Sequence, residues 1–400
     1  DGPTEVGSGL VREEEVALSQ LIEIVNQRFG TDFNKADQLF FDQIVEAAMA
    51  DDGLRQAATV NPEDKFELVF RNLIERLFVE REQPLKIDLI VTDHHEPGSG
   101  LPSGVPVADP KLRDGGPEIS GAGVALALVQ AVGEILGHAD AWRDLTDLAM
   151  LGTVADIVPV VGPNRALVAE GLERVRRAPR PGLAALAAVS AVETATLDAD
   201  RVAYSLAPRL NAAGRMADPE IAVRLLLGED PAEAEVLAHA LDEHNRVRQA
   251  TESDLYDAAL IEVGRTFSPG DRVLAVAGEA WHEGVRGIVA SRLTNRFGVP
   301  SLVFCIEGGQ AQGSGRSIEG VDLYAALSDL APMLQRYGGH AMAVGLALPA
   351  ADLDAFRSAL AARLASVPAD AFAGSITLDA EVPLDALSRE LASELALLGP

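Results

Sequence analysis

From residue 87 onward the chain alternates short β-branched apolar runs with alanine-rich stretches, and this alternation restricts it to an α/β fold. "IDLIV" from Ile87, "RVLAVAG" from Arg272 and "PSLVF" from Pro300 read as strands. "SGAGVALALVQAVGEILG" reads as a helix capped by Ser120. A long charge-rich helix is expected from about Pro231 to Val263, roughly 50 Å at 1.5 Å per residue, and polarity on most faces suits a bridge between two domains. Residues 1–86 have another character. In "NPEDKFELVFRNLIERLFVERE", Asn61 stands at the N-cap, Pro62 in the first turn, and Phe66, Phe70, Leu73 and Leu77 on one face. With "ADQLFFDQIVEAAMADD" as a second helix, this part reads as an all-α segment without a catalytic constellation.

"IDLIVTDHHEPG" carries the first chemical signal. Ile87, Leu89, Ile90 and Val91 predict a buried strand closed by Pro97 and Gly98, with Asp93, His94 and His95 at its carboxyl end. Ligands bind at that edge of open parallel sheets, and one carboxylate beside two imidazoles suits a divalent transition metal. Taken alone, the triplet fits equally well a polar loop with a capping aspartate and solvated histidines.

Composition narrows the classes. The single cysteine, Cys305, excludes an internal disulfide and a cysteine-based zinc cluster. No apolar run has the length of a membrane span and the N-terminus lacks a signal pattern, so a cytoplasmic location is expected. A net charge of −28 argues against a protein that coats nucleic acid by neutralising phosphate, yet leaves room for an enzyme whose metal ions and a few arginines handle one phosphate. Lysine occurs only at positions 35, 65, 86 and 111, so arginine, whose planar fork suits phosphate, carries most of the positive charge.

"VTDHHEPG", "LGTVADIVPVVGPNR", "LAPRLNAAGRM", "WHEGVRGIVASRL", "GSGRS" and "YGGHAMAVGLAL" occur in one order and spacing. Over about residues 87 to 400 this set resembles the DHH/DHHA1 phosphoesterase superfamily, and most of all its RecJ-like branch of single-stranded-DNA-specific exonucleases. The resemblance implies two Mn²⁺ or Mg²⁺ ions in a cleft between a DHH and a DHHA1 domain. It assigns Asp93, His94, His95 and Asp156 to catalysis and metal binding. It assigns Arg209, Asn211, Arg215, Gly284, Arg316, Ser317, Gly338, Gly339 and His340 to nucleic-acid binding. His282 reads either as part of that set or as a structural residue. The implied layout is a helical segment (1–86), a partial DHH domain with a parallel sheet (87–230), a connecting helix (231–265), a DHHA1 domain (266–372) and the start of a truncated β domain of OB type (373–400).

Members of that branch begin their DHH domain with a strand ending in an aspartate-rich motif, followed by a second strand with another metal aspartate. Neither is visible here, and two divalent ions with fewer carboxylates bind weakly. Residues 1–86 resemble instead the C-terminal helical region of type I restriction enzyme motor subunits, which implies an α-helical protein-interaction role; the pattern switches near Arg81 to Lys86. The leading expectation is therefore a metal-dependent 5′ to 3′ exonuclease on single-stranded DNA, in repair and recombination, weakened by the absent motifs. The alternatives are a non-catalytic DHH-fold scaffold, or a phosphodiesterase acting on short oligonucleotides or cyclic dinucleotides.

Overall fold

The computed structural model describes residues 90–95, 106–113, 115–374, 378–396 and 399, all of which belong to one compact unit. The helices expected within residues 1–86 lie outside the described residues. The described chain opens with a parallel pair, β1 (Val91–Thr92) and β2 (Val107–Ala108). A helical layer follows: α1 (Gly121–Leu136), α2 (Thr146–Ala155), α3 (Gly162–Arg177), α4 (Pro181–Val189), α5 (Ala207–Met216) and α6 (Glu220–Leu227). Ser120 caps α1 as expected, its hydroxyl accepting from the Gly123 amide.

The core of this layer is built from Met150, Leu172, Leu186, Leu206 and Leu225, all fully buried. Glycine sets the approach of α2 and α3, because a Cβ at Gly171 would stand 2.3 Å from that of Met150. The buried carboxylate of Asp147 is met by Arg180 Nε at 2.7 Å, a pairing that a charge removed from water requires.

Helix α7 (Pro231–Thr266) runs 36 residues, the expected bridge. Its first half sends Ala234, Leu237, Ala238 and Leu241 into the helical core, and its second half sends Leu255, Ala259 and Val263 into another. Between them the apolar stripe is interrupted by polar ties. Asp242 accepts from Arg209 Nε at 2.9 Å and pairs with Arg246 at 2.6 Å; Glu252 pairs with Arg248 at 2.7 Å and Arg292 at 3.1 Å.

The second half of the unit is a five-stranded sheet of order β3-β4-β5-β7-β6. Its strands are β3 (Leu274–Glu279), β4 (Ser301–Glu307), β5 (Gln310–Arg316), β6 (Arg336–His340) and β7 (Ala343–Pro349); β3 and β4 are parallel, the other pairs antiparallel. Strand periodicity sorts β4 between two cores. Leu302 and Phe304 join α10 (Leu353–Ala365) on one face, where Phe304 meets Phe356 edge-on at 6.0 Å. Val303 joins α8 (Arg286–Phe297) on the other.

One expectation is corrected. The run from Ile87 does not make a buried strand over its described part: only Val91 and Thr92 pair, and Ile90 is 60% exposed. A two-residue ladder leaves Ile90 without a second layer. The β element expected beyond Gly374 begins at residues outside the described ones; the described residues 378–383 are not in a strand, and α11 (Arg389–Ala396) follows.

Candidate metal centre and the cleft beside it

The ladder of β1 and β2 ends where the Asp93 amide donates to the Ala108 carbonyl at 3.1 Å, and the chain then turns around the Asp93 carboxylate. Its Oδ1 accepts from the His94 amide at 2.7 Å, the His95 amide at 3.2 Å and His95 Nδ1 at 2.7 Å. Partial burial pushes the Asp93 carboxyl up, but the His95 ring bond and the two amides outweigh it and hold the group below the usual carboxylate range. Asp93 is therefore an anion that holds the His95 ring and the backbone amide of His94.

His94 faces the helical layer, with its Nδ1 3.4 Å from Asp156 Oδ2. Asp156 caps the C-terminal end of α2, and the next residue, Ile157, is held at φ 58. A β-branched residue in the left-handed region is an outlier, and it lies where the chain bends away to leave Asp156 beside His94. One ligand atom each from Asp93, His94 and His95 lies within 4.8 Å of the others. That donor set, one carboxylate and two imidazoles with a second carboxylate alongside, fits a divalent metal ion.

A cleft of about 280 Å³ opens at this cluster, lined by His94, His95, Lys111, Glu118 and Asp156, with His340 entering from β6. The first and last thirds of the motif set thus meet in one place. Three contributors escape a reading by motif. Lys111 and Glu118 lie in connecting segments without pattern. Gly121 gives the His94 ring its room, since a Cβ there would sit 3.2 Å from His94 Cδ2; the glycine-spaced start of "GAGVALAL" is its signal in the sequence.

The other expected residues divide by what they touch. Arg209 is tied to Asp242 and donates to the Ser205 carbonyl at 2.7 Å, so its charge is already met inside the protein. Asn211 is exposed on α5. Arg215 donates to the Gly284 carbonyl at 3.1 Å, and a Cβ at Gly284 would stand 2.3 Å from the Arg215 carbonyl oxygen. Gly284 thus admits the backbone of α5 rather than leaving an open surface. His282 is structural, its Nδ1 accepting from the Gly284 amide. Ser317 is buried and donates to the Val321 carbonyl at 2.7 Å. Gly339 sits at φ 121 against the Ala343 carbonyl, a position closed to other residues. His340 lines the cleft, and Gly338 and Arg316 lie in register rows of the same sheet face, with Arg316 donating to the Ser314 hydroxyl at 3.2 Å and the Gly315 carbonyl at 2.9 Å.

A histidine-aspartate cluster facing an antiparallel sheet edge across a cleft defines a protein of the DHH/DHHA1 class. Residues 270–366 match the DHHA1 domain family. The single-stranded-DNA-specific exonuclease RecJ of Bacillus subtilis is 42% identical over 281 residues, 69% of this chain and 35% of that protein. That of Escherichia coli is 40% identical over 295 residues, 68% of this chain and 51% of that protein. The crystal structure of manganese-bound RecJ from Thermus thermophilus superposes with a TM-score of 0.71 at 35% identity, covering 82% of this chain and 48% of that one. Another manganese-bound exonuclease RecJ superposes with a TM-score of 0.62 at 36% identity, covering 74% of this chain and 73% of that one. The chain belongs to the RecJ-like family, and it spans about a third to a half of the length of the first two relatives. The similarity expected between residues 1–86 and restriction enzyme motor subunits is not supported by these matches.

Proposed function

We propose that the chain carries the catalytic core of a metal-dependent phosphodiesterase that removes nucleotides from single-stranded DNA in the 5′ to 3′ direction. The observation that carries this reading is the Asp93, His94, His95 cluster with Asp156 beside it, opening into a cleft that His340 enters from the facing sheet. His94, His95 and Asp156 would hold Mn²⁺ or Mg²⁺, the ions of the RecJ structures, and Asp93 orients the His95 imidazole. A bound divalent ion supplies an activated water and offsets the charge of the attacked phosphodiester. His340 and Arg316 hold the strand on the opposite wall, and Lys111 adds a cation at the mouth.

A non-catalytic, strand-binding role is the second reading. It is favoured by the small number of carboxylates at the cluster: Asp93 and Asp156 are its members among the described residues, with Glu118 on the cleft wall. Residues 1–86 are proposed to contact a protein partner. The cytoplasm is the proposed location, and among the described residues no helix is long and apolar enough to cross a membrane.

The test is calorimetric titration with Mn²⁺ of the chain and of His94→Ala, together with nucleotide release from a 5′-phosphorylated single strand. Binding that falls more than about 100-fold in the variant, beyond the range for an outer-shell change, with release lost in parallel, is expected. Metal binding without release by the unchanged chain would instead support the non-catalytic reading.

A further inference from the structure

The pairing register places three rows of side chains across one face of the second sheet. Arg336 on β6 lies in a row with Ala347, Gln312 and Cys305. His340 lies in a row with Ala343, Arg316 and Ser301, and Gly338 with Gly345 and Ser314 between them. Because side chains alternate along a strand, Arg336, Gly338 and His340 point to the same side, and Tyr337 to the other, where it packs on the Phe304 core. Helix α8 packs against β4 and β5 on the Arg336 side, leaving β7 and β6 beside it with a floor of small residues, Gly338, Ala343 and Gly345. The result is a trough with His340 and Arg316 at one end and Arg336 at the other. Four residues of strand separate Arg336 from His340, about 13 Å.

A second observation bears on the charge at the Arg336 end, where Glu283 and Glu307 also act on Cys305 of the same row. Arg286, at the first turn of α8, is 3% exposed and its Nε has no hydrogen-bond partner, although its Nη1 donates to the Gln312 carbonyl at 2.7 Å. Its nearest acid, Glu283, stands 4.0 Å away. Burial weakens its hold on its proton; Glu283 and then Cys305 oppose that, and the like charge of Arg336 adds a smaller push in the direction of burial. The Arg286 guanidinium is tied through the Gln312 carbonyl to the register row that ends in Arg336, so it adds positive charge under that end of the trough.

We propose that Arg336, with Arg286 behind it, forms a phosphate subsite for the single strand one trough length from the metal cluster, so that the strand runs along β6 from His340 to Arg336. This rests on the proposed function and adds to it a residue outside the motif that signals the family.

The test is fluorescence anisotropy of a labelled twelve-nucleotide oligothymidylate with phosphorothioate linkages, in Mn²⁺, over a series of salt concentrations. Arg336→Gln is expected to bind about ten-fold more weakly at low salt, the scale of one charged hydrogen bond. The slope of log affinity against log salt should fall by about 0.7, the share of one phosphate contact on a single strand. Arg336→Lys, which keeps the charge, should restore the slope. An unchanged slope in Arg336→Gln, or a loss of affinity of equal size in both variants without a change of slope, would overturn the subsite. If the unchanged protein does not bind the strand, the subsite and the proposed function fall together; if it binds and the variants do not differ, the subsite alone falls.

Discussion

The two walls of the cleft are built to different standards of support. The sheet that presents Arg316 and His340 has five strands and a core on each face, so its edge strand β6 is fixed by β7 through five paired residues. Among the described residues, the wall that presents Asp93, His94 and His95 hangs from a two-residue parallel ladder, with Ile90 exposed and α1 burying only Gly123, Val124 and Gly133. Parallel strands are stable when both faces are covered, and here the metal cluster gains its order mainly from its own hydrogen bonds and from Asp156 on the well-packed α2. The contrast teaches that a cluster's geometry can be local while the grip across from it is global.

The largest effect that sharpens this contrast lies in the core of the second sheet. Phe304→Ala should cost about 3–5 kcal/mol by urea denaturation, because the ring is fully buried against Phe356 and its loss leaves a cavity. Ile90→Ala, by the same measurement, should stay within about 0.5 kcal/mol. Equal losses would erase the difference between the walls. A smaller effect is expected at the contact between α5 and the second half of the unit. Gly284→Ala should cost about 1–3 kcal/mol, since the added methyl would have to displace the Arg215 carbonyl. Arg215→Ala removes only one hydrogen bond, about 1 kcal/mol. It leaves that carbonyl in place, so it should not rescue Gly284→Ala; rescue would show that the close approach is not made by backbone.

Most of the second half of the unit was legible in the sequence. The runs from Arg272 and Pro300 alternate with helical stretches, and α7 carries its own cap at Asp230 and Pro231, so periodicity and punctuation were enough. The convergence of Asp93, His94, His95, Asp156 and His340 followed from the motif resemblance, because no periodicity brings residues 94 and 340 together. What escaped were features set by tertiary context. Of the run from Ile87, the described residues pair only at Val91 and Thr92. Arg215, Gly284 and Ser317 share the motifs of the gripping residues, yet backbone approach and burial give them internal partners that no pattern of residue types announces.

The smallest expected change in stability bears on the weaker wall. Leu128, Val132, Ile135 and Leu136 leave α1 with an apolar face toward solvent, Ile135 at 83% exposure. Lysine is a somewhat better helix former than isoleucine, and a cation in the last turn of α1 favours the negative end of its dipole. Ile135→Lys should therefore leave stability within about 0.5 kcal/mol while breaking up the exposed apolar patch. Light scattering over a concentration series should show weaker self-association for the variant than for the unchanged chain. A loss of more than about 1 kcal/mol would mean that the α1 face is covered in the folded protein. The two walls would then differ in which residues support them rather than in how much.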